Sequence, residues 1–128
     1  MDDTNRRDLV ERHHVASSRG DMDEVHAIYH EDAVIEYPQS GERILGRHKL
    51  RGLRESHPAK LDFSIRRIVG SGDVWITEYV ISYDGKPVNT ISIMEFEGDQ
   101  VARETLYFAD PFDAPDWRSQ WVEIGPQE

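Results

Sequence analysis

The sequence contains no cysteine, so disulfide bonds, thiolate nucleophiles and thiolate metal ligands are all excluded. It also has no apolar run near the roughly 20 residues that a membrane-spanning helix needs. The first residues, Met-Asp-Asp-Thr-Asn, lack the basic and then apolar order of a signal peptide. We therefore expect an unprocessed, soluble protein with a cytoplasmic location.

Basic residues are scarce relative to acidic ones. The chain has 15 Lys and Arg against 25 Asp and Glu, which gives a net charge of −10 with histidine neutral. Such a field repels phosphate backbones and anionic lipid head groups, so we expect neither nucleic acid nor a membrane as a partner. At 128 residues, 38% of them hydrophobic, the chain is expected to form a single domain over residues 1–128.

Apolar residues spaced three and four positions apart predict three helices in the N-terminal part of the chain. The first covers residues 6–19, the second runs from Asp21 to near His30, and the third ends before Pro58. A short strand over residues 33–37 separates the second helix from the third. The helix faces carry, in chain order, Leu9, His13, Ala16, Met22, Val25, His26, Tyr29, Leu50, Leu53 and His57.

After Pro58 the apolar period changes to two, which predicts antiparallel strands. The alternation that starts at Leu61 breaks after Arg66-Arg67, as it does at a β-bulge. Hairpin turns at Asp84-Gly85 and Gly98-Asp99 predict strands over residues 74–83, 88–97 and 100–109. Three helices followed by such strands indicate an α+β fold, with the helices on one face of a curved, mainly antiparallel sheet.

If each hairpin turn contains two residues, the strand pairing assigns every side chain to one of the two faces of the sheet. The first face is apolar and aromatic with scattered hydroxyls: Trp75, Thr77, Tyr79, Ile81, Val88, Thr90, Ser92, Met94, Arg103, Thr105 and Tyr107. The second face contains Glu78, Glu104, Leu106 and Phe108 and is too apolar to face water entirely. An apolar face that no helix covers is usually buried against another subunit, so we predict a homodimer through this outer face.

The first face could line a cavity for a small hydrophobic or aromatic molecule. Tyr79 and Tyr107 would donate hydrogen bonds from their hydroxyls. The other predicted ligand-binding residues are Tyr37, Trp75, Thr77, Thr90, Ser92 and Thr105. The alternative is an ordinary core in which the tyrosine hydroxyls bond to the backbone.

Three kinds of ionisable side chain are candidates for proton transfer. His13 is either a general base or a hydrogen-bonded core histidine. Glu78 and Glu104 are strand acids that could be desolvated, although the favoured alternative places them on the outer face, paired with arginine or at the rim of the dimer contact. Asp110 could project over the cavity mouth, and with Pro111 it also fits a helix N-cap.

Metal binding is not expected. His26 and His30 have the spacing of helical zinc ligands, but the His-Ala-Ile-Tyr-His sequence lacks the glutamate of His-Glu-x-x-His. We predict no metal and no cofactor.

Three stretches carry a family resemblance: Arg19-Gly20-Asp21 with the following 26–33 segment, residues 41–47, and Glu104-Thr105-Leu106-Tyr107-Phe108-Ala109-Asp110-Pro111. They resemble the SnoaL-like branch of the nuclear-transport-factor-two superfamily over nearly the whole chain. The resemblance implies a cystatin-like, cone-shaped α+β barrel with three N-terminal helices. It implies no single reaction, because the superfamily hosts isomerases, polyketide cyclases, epoxide hydrolases, dehydratases and binding modules.

The resemblance also allows the site patterns of these enzymes to be compared with the chain. Where ketosteroid isomerases have a tyrosine, a carboxylate base and a protonated acid, this chain has His13, Tyr37 and Ser92, so that base is missing. In place of the Asp-Arg-Asp arrangement of limonene epoxide hydrolase it has Tyr79, Ile81 and Tyr107. The cyclases use an acid near the end of a late strand, which Asp110 resembles most.

Two functions remain open from the sequence. One is a cofactor-independent isomerase or cyclase that moves a proton on a polyketide-like or steroid-like carbonyl compound, with Asp110 or His13 as the proton carrier. The other is a non-catalytic module that binds or senses a small molecule, because the first face is poor in ionisable groups. The tryptophans Trp117 and Trp121 are expected to fold back as a lid or to form a dimer contact, with an adaptor role as the alternative.

Overall fold

The computed structural model of the chain describes residues 2–125. The helices are α1 (Asp3–Arg19), α2 (Met22–Ala27) and α3 (Arg47–Glu55). The side chain of Asp2 caps α1 by accepting from the Asn5 amide, and Gly20 ends it in the left-handed conformation that glycine adopts without strain. No helix in the described range is long and apolar enough to cross a membrane.

The second helix is shorter than the sequence predicted. It ends at Ala27, and Tyr29, the last residue of its predicted apolar stripe, begins the first strand. The Val101 amide donates to the Ile28 carbonyl, and Tyr29 pairs with Val101 in the sheet. Pairing with a distant strand therefore overrides the local helical pattern.

Six strands form the sheet: β1 (Tyr29–Tyr37), β2 (Glu42–Leu45), β3 (Leu61–Ser71), β4 (Val74–Tyr83), β5 (Lys86–Glu97) and β6 (Gln100–Ala109). Their order is β2-β1-β6-β5-β4-β3, and every neighbouring pair is antiparallel except β1 and β6. The predicted α+β class and the hairpins are confirmed, whereas β2 was not predicted. A 3-10 helix (Asp116–Trp121) follows the sheet.

Two irregularities in strand pairing set the shape of the sheet. The register of β3 against β4 shifts between Ile65 and Arg67, which confirms the predicted bulge. A second shift, between Glu95 and Phe96 on β5, was not predicted: Glu95 pairs with Arg103, but Phe96 pairs with Val101. The extra residue on β6 is Ala102.

This second bulge reverses the predicted faces of β6. Glu104 pairs with Met94 and Leu106 with Ser92, so both lie on the inner face, while Thr105 and Tyr107 lie on the outer face. A one-residue change of register moves every following side chain to the opposite face. The prediction that Thr105 and Tyr107 share a face with Tyr79 is therefore wrong.

The helices pack against the inner face of the sheet, where the core contains Val10, Tyr29, Ile35, Leu50, Trp75, Met94 and Leu106. Arg6 ties α1 to two hairpin turns. Its guanidinium donates to the carbonyls of Gly72 and Gly98 and to the Asp73 carboxylate, and it lies over the ring of Phe96. The packing leaves an opening between α1, α3 and the first residues of β3.

Candidate functional site

A cavity of about 430 Å³ occupies this opening. This volume is within the range typical of small-molecule sites. Its walls are mainly apolar and aromatic: Met22, Val25, Tyr37, Leu53, Leu61, Phe63, Tyr79, Ile81, Tyr83, Leu106 and Phe108. Its polar groups include His13 and His14 from α1, Arg54 from the last turn of α3 and Tyr79 from β4.

His13 lies on the cavity wall with its ring orientation fixed. Its Nδ1 is 2.7 Å from the Val25 carbonyl oxygen. A carbonyl can only accept, so Nδ1 carries the proton and Nε2 is the basic nitrogen. Burial, followed by the nearby His14 and Arg54, holds the pKa of His13 well below its ordinary value, so the ring is neutral near pH 7.

His14, the next residue on α1, also lines the cavity. Burial and the charge of Arg54 lower the pKa of His14 to about 3. Its Nε2 is buried and has no hydrogen-bond partner within residues 2–125. Because an unpaired buried polar atom costs about 1–3 kcal/mol, this nitrogen favours a polar ligand atom beside it.

Tyr79 faces these histidines from β4, with its ring 4.8 Å from that of His14. Burial raises the pKa of Tyr79 far above its ordinary value, so its hydroxyl is a hydrogen-bond donor at any physiological pH. Among the residues described, no group bonds this hydroxyl. Tyr37 lines the cavity as predicted, and its ring packs edge-to-face on Phe108 at 5.3 Å.

A buried polar network stands behind the cavity wall. Glu104 is 1% exposed, and its two carboxylate oxygens accept from the hydroxyls of Tyr29 and Ser92, each at 2.5 Å. Burial raises the pKa of Tyr29 well above its ordinary value, which keeps the proton on the phenol. Arg54 donates to the Tyr29 hydroxyl at 3.1 Å and lies 3.6 Å from Glu104.

Arg54 belongs both to this network and to the cavity wall. Burial opposes its charge, but the neighbouring Tyr29 and Glu104 raise the pKa of Arg54, so it is a permanent cation. His26 donates from Nδ1 to the Met22 carbonyl and presents Nε2 to Arg54 at 3.4 Å. Burial lowers the pKa of His26, which is consistent with this neutral, accepting ring.

Several predicted site residues do not line the cavity. Thr105 and Tyr107 lie on the outer face because of the β6 bulge. Asp110 is exposed just beyond β6, and no helix begins at Pro111, so the predicted capping role is wrong. The remaining four face inward but are packed in the core: Trp75, Thr77, Thr90 and Ser92.

Those core residues have mostly local partners. Trp75 donates from Nε1 to the Gly72 carbonyl, and Thr90 donates to the Val88 carbonyl. Ser92 bonds Glu104, while the Thr77 hydroxyl has no partner in the described part of the chain. The alternative of an ordinary core therefore describes these positions of β4 and β5, and the cavity lies against the C-terminal half of β4, at Tyr79, Ile81 and Tyr83.

The sequence reasoning missed His14 and Arg54 and placed Glu104 on the wrong face. His14 follows His13 and does not fit the helical stripe through Leu9 and Ala16, although a helix buried over a wider face would include both histidines. Arg54 is one of several arginines near α3, and only its tertiary contacts distinguish it. Residues 2–125 contain no group of three or more His, Asp or Glu arranged to hold a metal ion.

Comparison with known proteins places the chain among cone-shaped α+β proteins. The family model described as SnoaL-like domain matches residues 10–104. The crystal structure of an NTF-2 like protein of unknown function from Burkholderia xenovorans LB400 is 55% identical, covers 98% of this chain and 99% of that chain, and superposes with a TM-score of 0.88. The search of curated proteins gave no match.

Two more distant structures share the fold. A putative ketosteroid isomerase from Kribbella flavida DSM 17836 is 22% identical over 98% of this chain and 93% of that chain, with a TM-score of 0.89. A putative polyketide cyclase from Sinorhizobium meliloti is 21% identical over 77% of this chain and 93% of that chain, with a TM-score of 0.66. The expected cone-shaped fold is thereby confirmed.

Proposed function

The chain belongs to the SnoaL-like domain family, and from this premise we propose that its cavity binds a small, mainly apolar carbonyl compound and moves a proton on it without a cofactor. The observation that carries the proposal is the fixed tautomer of His13. The Val25 carbonyl holds the proton on Nδ1, so the basic Nε2 belongs to a ring that lines an apolar cavity. Isomerase and cyclase descriptions among proteins of the same fold support this reaction class.

The proposed step needs only side chains of this cavity. Nε2 of His13 removes a proton from the carbon next to the ligand carbonyl, and the electron pair of that C–H bond moves into an enolate. The Tyr79 hydroxyl donates a hydrogen bond to the enolate oxygen, where negative charge develops. Returning the proton from Nε2 to a different carbon completes an isomerisation. In a cyclisation the carbanion attacks a second carbonyl carbon, and the alkoxide that forms takes the proton from Nε2.

A non-catalytic binding module is the second candidate, and a specific observation favours it. The lowered pKa of His13 makes it a weak base, and the one carboxylate among the described cavity walls is the exposed Asp62. A protein that only holds its ligand would need the apolar walls and the polar atoms of Tyr79 and His14. It would have no need of a proton acceptor.

Hydrogen–deuterium exchange separates the two candidates without knowledge of the natural substrate. The protein is incubated in D₂O with apolar ketones such as 2-tetralone, and deuterium uptake next to the carbonyl is followed by NMR. We expect catalysed exchange, and His13→Gln should slow it about 100-fold, the lower end of the usual contribution of a general base. The exposed, distant His48 provides the control variant His48→Gln.

The pH dependence of the same reaction is a second readout. Because the pKa of His13 lies well below 6.5, its basic form persists as pH falls, so exchange should not decline on passing from pH 7.5 to 6. Ketones that bind in a thermal-shift assay but exchange no faster than in buffer would favour the binding module. Equal exchange by the wild type and His13→Gln would remove His13 from the mechanism.

The assembly and location of the protein are also proposals. The outer sheet face is apolar and partly exposed, with Val74 at 43%, Ile91 at 39% and Tyr107 at 41% exposure. We propose that a second copy of the chain covers this face, which gives the homodimer expected from the sequence. A cytoplasmic location stays a prediction.

A further inference from the structure

The charges around the cavity differ in sign from those of the whole molecule. The chain carries a net charge of −10. The charged side chains that line the cavity are nevertheless three cations and one carboxylate, namely Arg19, Arg54, Lys60 and Asp62. His13 and His14 are neutral there because burial lowers the pKa of each. This local excess of positive charge points to an anionic ligand.

Arg54 is the least exposed of these three cations, with a side chain 23% exposed. It donates to the Tyr29 hydroxyl and the His26 ring, which uses two of the five N–H groups of a guanidinium. The other N–H groups have no acceptor within residues 2–125. A planar guanidinium with free donors matches the two oxygens of a carboxylate.

Glu104 does not satisfy those free donors. Its oxygens each accept at 2.5 Å from a hydroxyl, one from Tyr29 and one from Ser92. The Arg54 nitrogen nearest to Glu104 is 3.6 Å away, which is longer than an ordinary hydrogen bond. Glu104 therefore stabilises the buried cation through space and leaves its donor face available to the cavity.

Arg19 and Lys60 add positive charge at the cavity mouth. Both are exposed, and neither forms an ion pair within the described range. The screening length at physiological ionic strength is about 8 Å, so these two charges can attract an anionic ligand that arrives at the opening. The opposing charge at the rim is that of the exposed Asp62.

We infer that the ligand of this cavity is an apolar carboxylate, with its carboxylate bound to Arg54 and its hydrocarbon part against the walls formed by Leu53, Phe63 and Leu106. The inference rests on the proposed function of the cavity and names the class of compound that the cavity takes. The carboxylate is a second functional group of the ligand, separate from the carbonyl on which the proton moves.

Matched pairs of probes test the ligand charge. Four carboxylates, namely phenylacetate, cinnamate, 1-naphthylacetate and decanoate, are titrated against the full chain by calorimetry beside their neutral primary amides. We expect the best carboxylate to bind about tenfold more tightly than its amide, as one charge-assisted hydrogen bond provides. The preference should shrink as salt concentration rises.

Three variants assign the preference to its residues. Arg54→Gln should abolish it, and Lys60→Gln, at an exposed position where folding is not at risk, should reduce it about twofold. Lys49→Gln is the matched control, because Lys49 on α3 is also exposed but does not line the cavity. An equal effect of Lys49→Gln and Lys60→Gln would contradict the proposed role of the rim.

The outcomes for the ligand class and for the proposed function are distinct. Amides that bind as tightly as the carboxylates, or ketones that bind while every carboxylate fails, would overturn the inference and leave the proposed function standing. If no ketone, amide or carboxylate binds at millimolar concentration, the proposed function itself fails.

Discussion

Glu78 and Glu104 show what a sequence can and cannot say about one side chain. Each is an acid within a strand and has apolar neighbours two positions away. Glu78 lies on the outer face and pairs with Arg67 at 3.1 Å, as the favoured alternative predicted. Glu104 is buried and bonds Tyr29 and Ser92. Local sequence does not separate the two, because the difference arises from a register shift and from partners distant in the chain.

The two acids provide a matched pair of variants. Glu104→Gln removes a buried charge and leaves the Arg54 cation without its counterion, so we expect a loss of about 3 kcal/mol in the free energy of unfolding. Glu78→Gln breaks a partly exposed ion pair and should cost less than about 1 kcal/mol. Urea unfolding followed by circular dichroism measures both. A similar loss for the two variants would show that the buried network contributes little to stability.

At the scale of elements, the hairpins were predictable and the register was not. Asp84-Gly85 and Gly98-Asp99 mark turns whose backbone needs a left-handed conformation, and both Gly85 and Gly98 have positive φ in the structure. The bulge at Ala102 has no comparable sequence signal, because the geometry of this bulge does not require alanine. Burial of Val101, Glu104 and Leu106 on the inner face accompanies the bulge. The predicted cavity residues on β6 were therefore displaced by one position.

Gly70, at the end of β3, has a packing role that its sequence context does not reveal. A Cβ on Gly70 would lie 2.5 Å from the Val74 carbonyl oxygen and 2.6 Å from the ring of Trp75, its partner on β4. We expect Gly70→Ala to lower the free energy of unfolding by about 2 kcal/mol through overpacking. Thermal and urea unfolding measure this loss.

Gly52 is the control for that substitution. It lies within α3, and an added Cβ would meet nothing within 4 Å. Because alanine is the better helix former, Gly52→Ala should raise stability by about 0.5–1 kcal/mol. Opposite signs for the two variants are the expected result. Stabilisation by both would mean that the Trp75 ring moves aside at little cost.

At the scale of the whole molecule, two apolar surfaces have no cover within the described chain. One is the outer sheet face around Ile91. The other is the segment after β6, where large side chains are almost fully accessible: Phe112 at 81%, Trp117 at 77%, Trp121 at 77% and Ile124 at 72%. The expectation that the tryptophans fold back as a lid on their own domain is therefore wrong. The dimer contact predicted from the sequence stays open for this segment.

Two candidate contacts of the proposed homodimer, the outer sheet face and the segment after β6, can be tested separately. Ile91→Glu places a charge in the middle of the face, and burying it unpaired costs several kcal/mol, so the variant should elute as a monomer when the wild type is a dimer. Val15→Glu is the matched control, because Val15 on α1 is 40% exposed, against 39% for Ile91. Size-exclusion chromatography with light scattering reports the mass of each.

A chain truncated after Phe112 distinguishes the two surfaces. If the sheet face is the contact, the truncated chain stays dimeric. If the tryptophans also extend that interface, the truncated dimer dissociates more readily than the wild-type dimer. A monomeric truncated chain together with a dimeric Ile91→Glu variant would assign the contact to the segment after β6 and contradict the sheet-face dimer. A monomeric wild type at high protein concentration would contradict the homodimer itself, and the apolar outer face would then need a different partner.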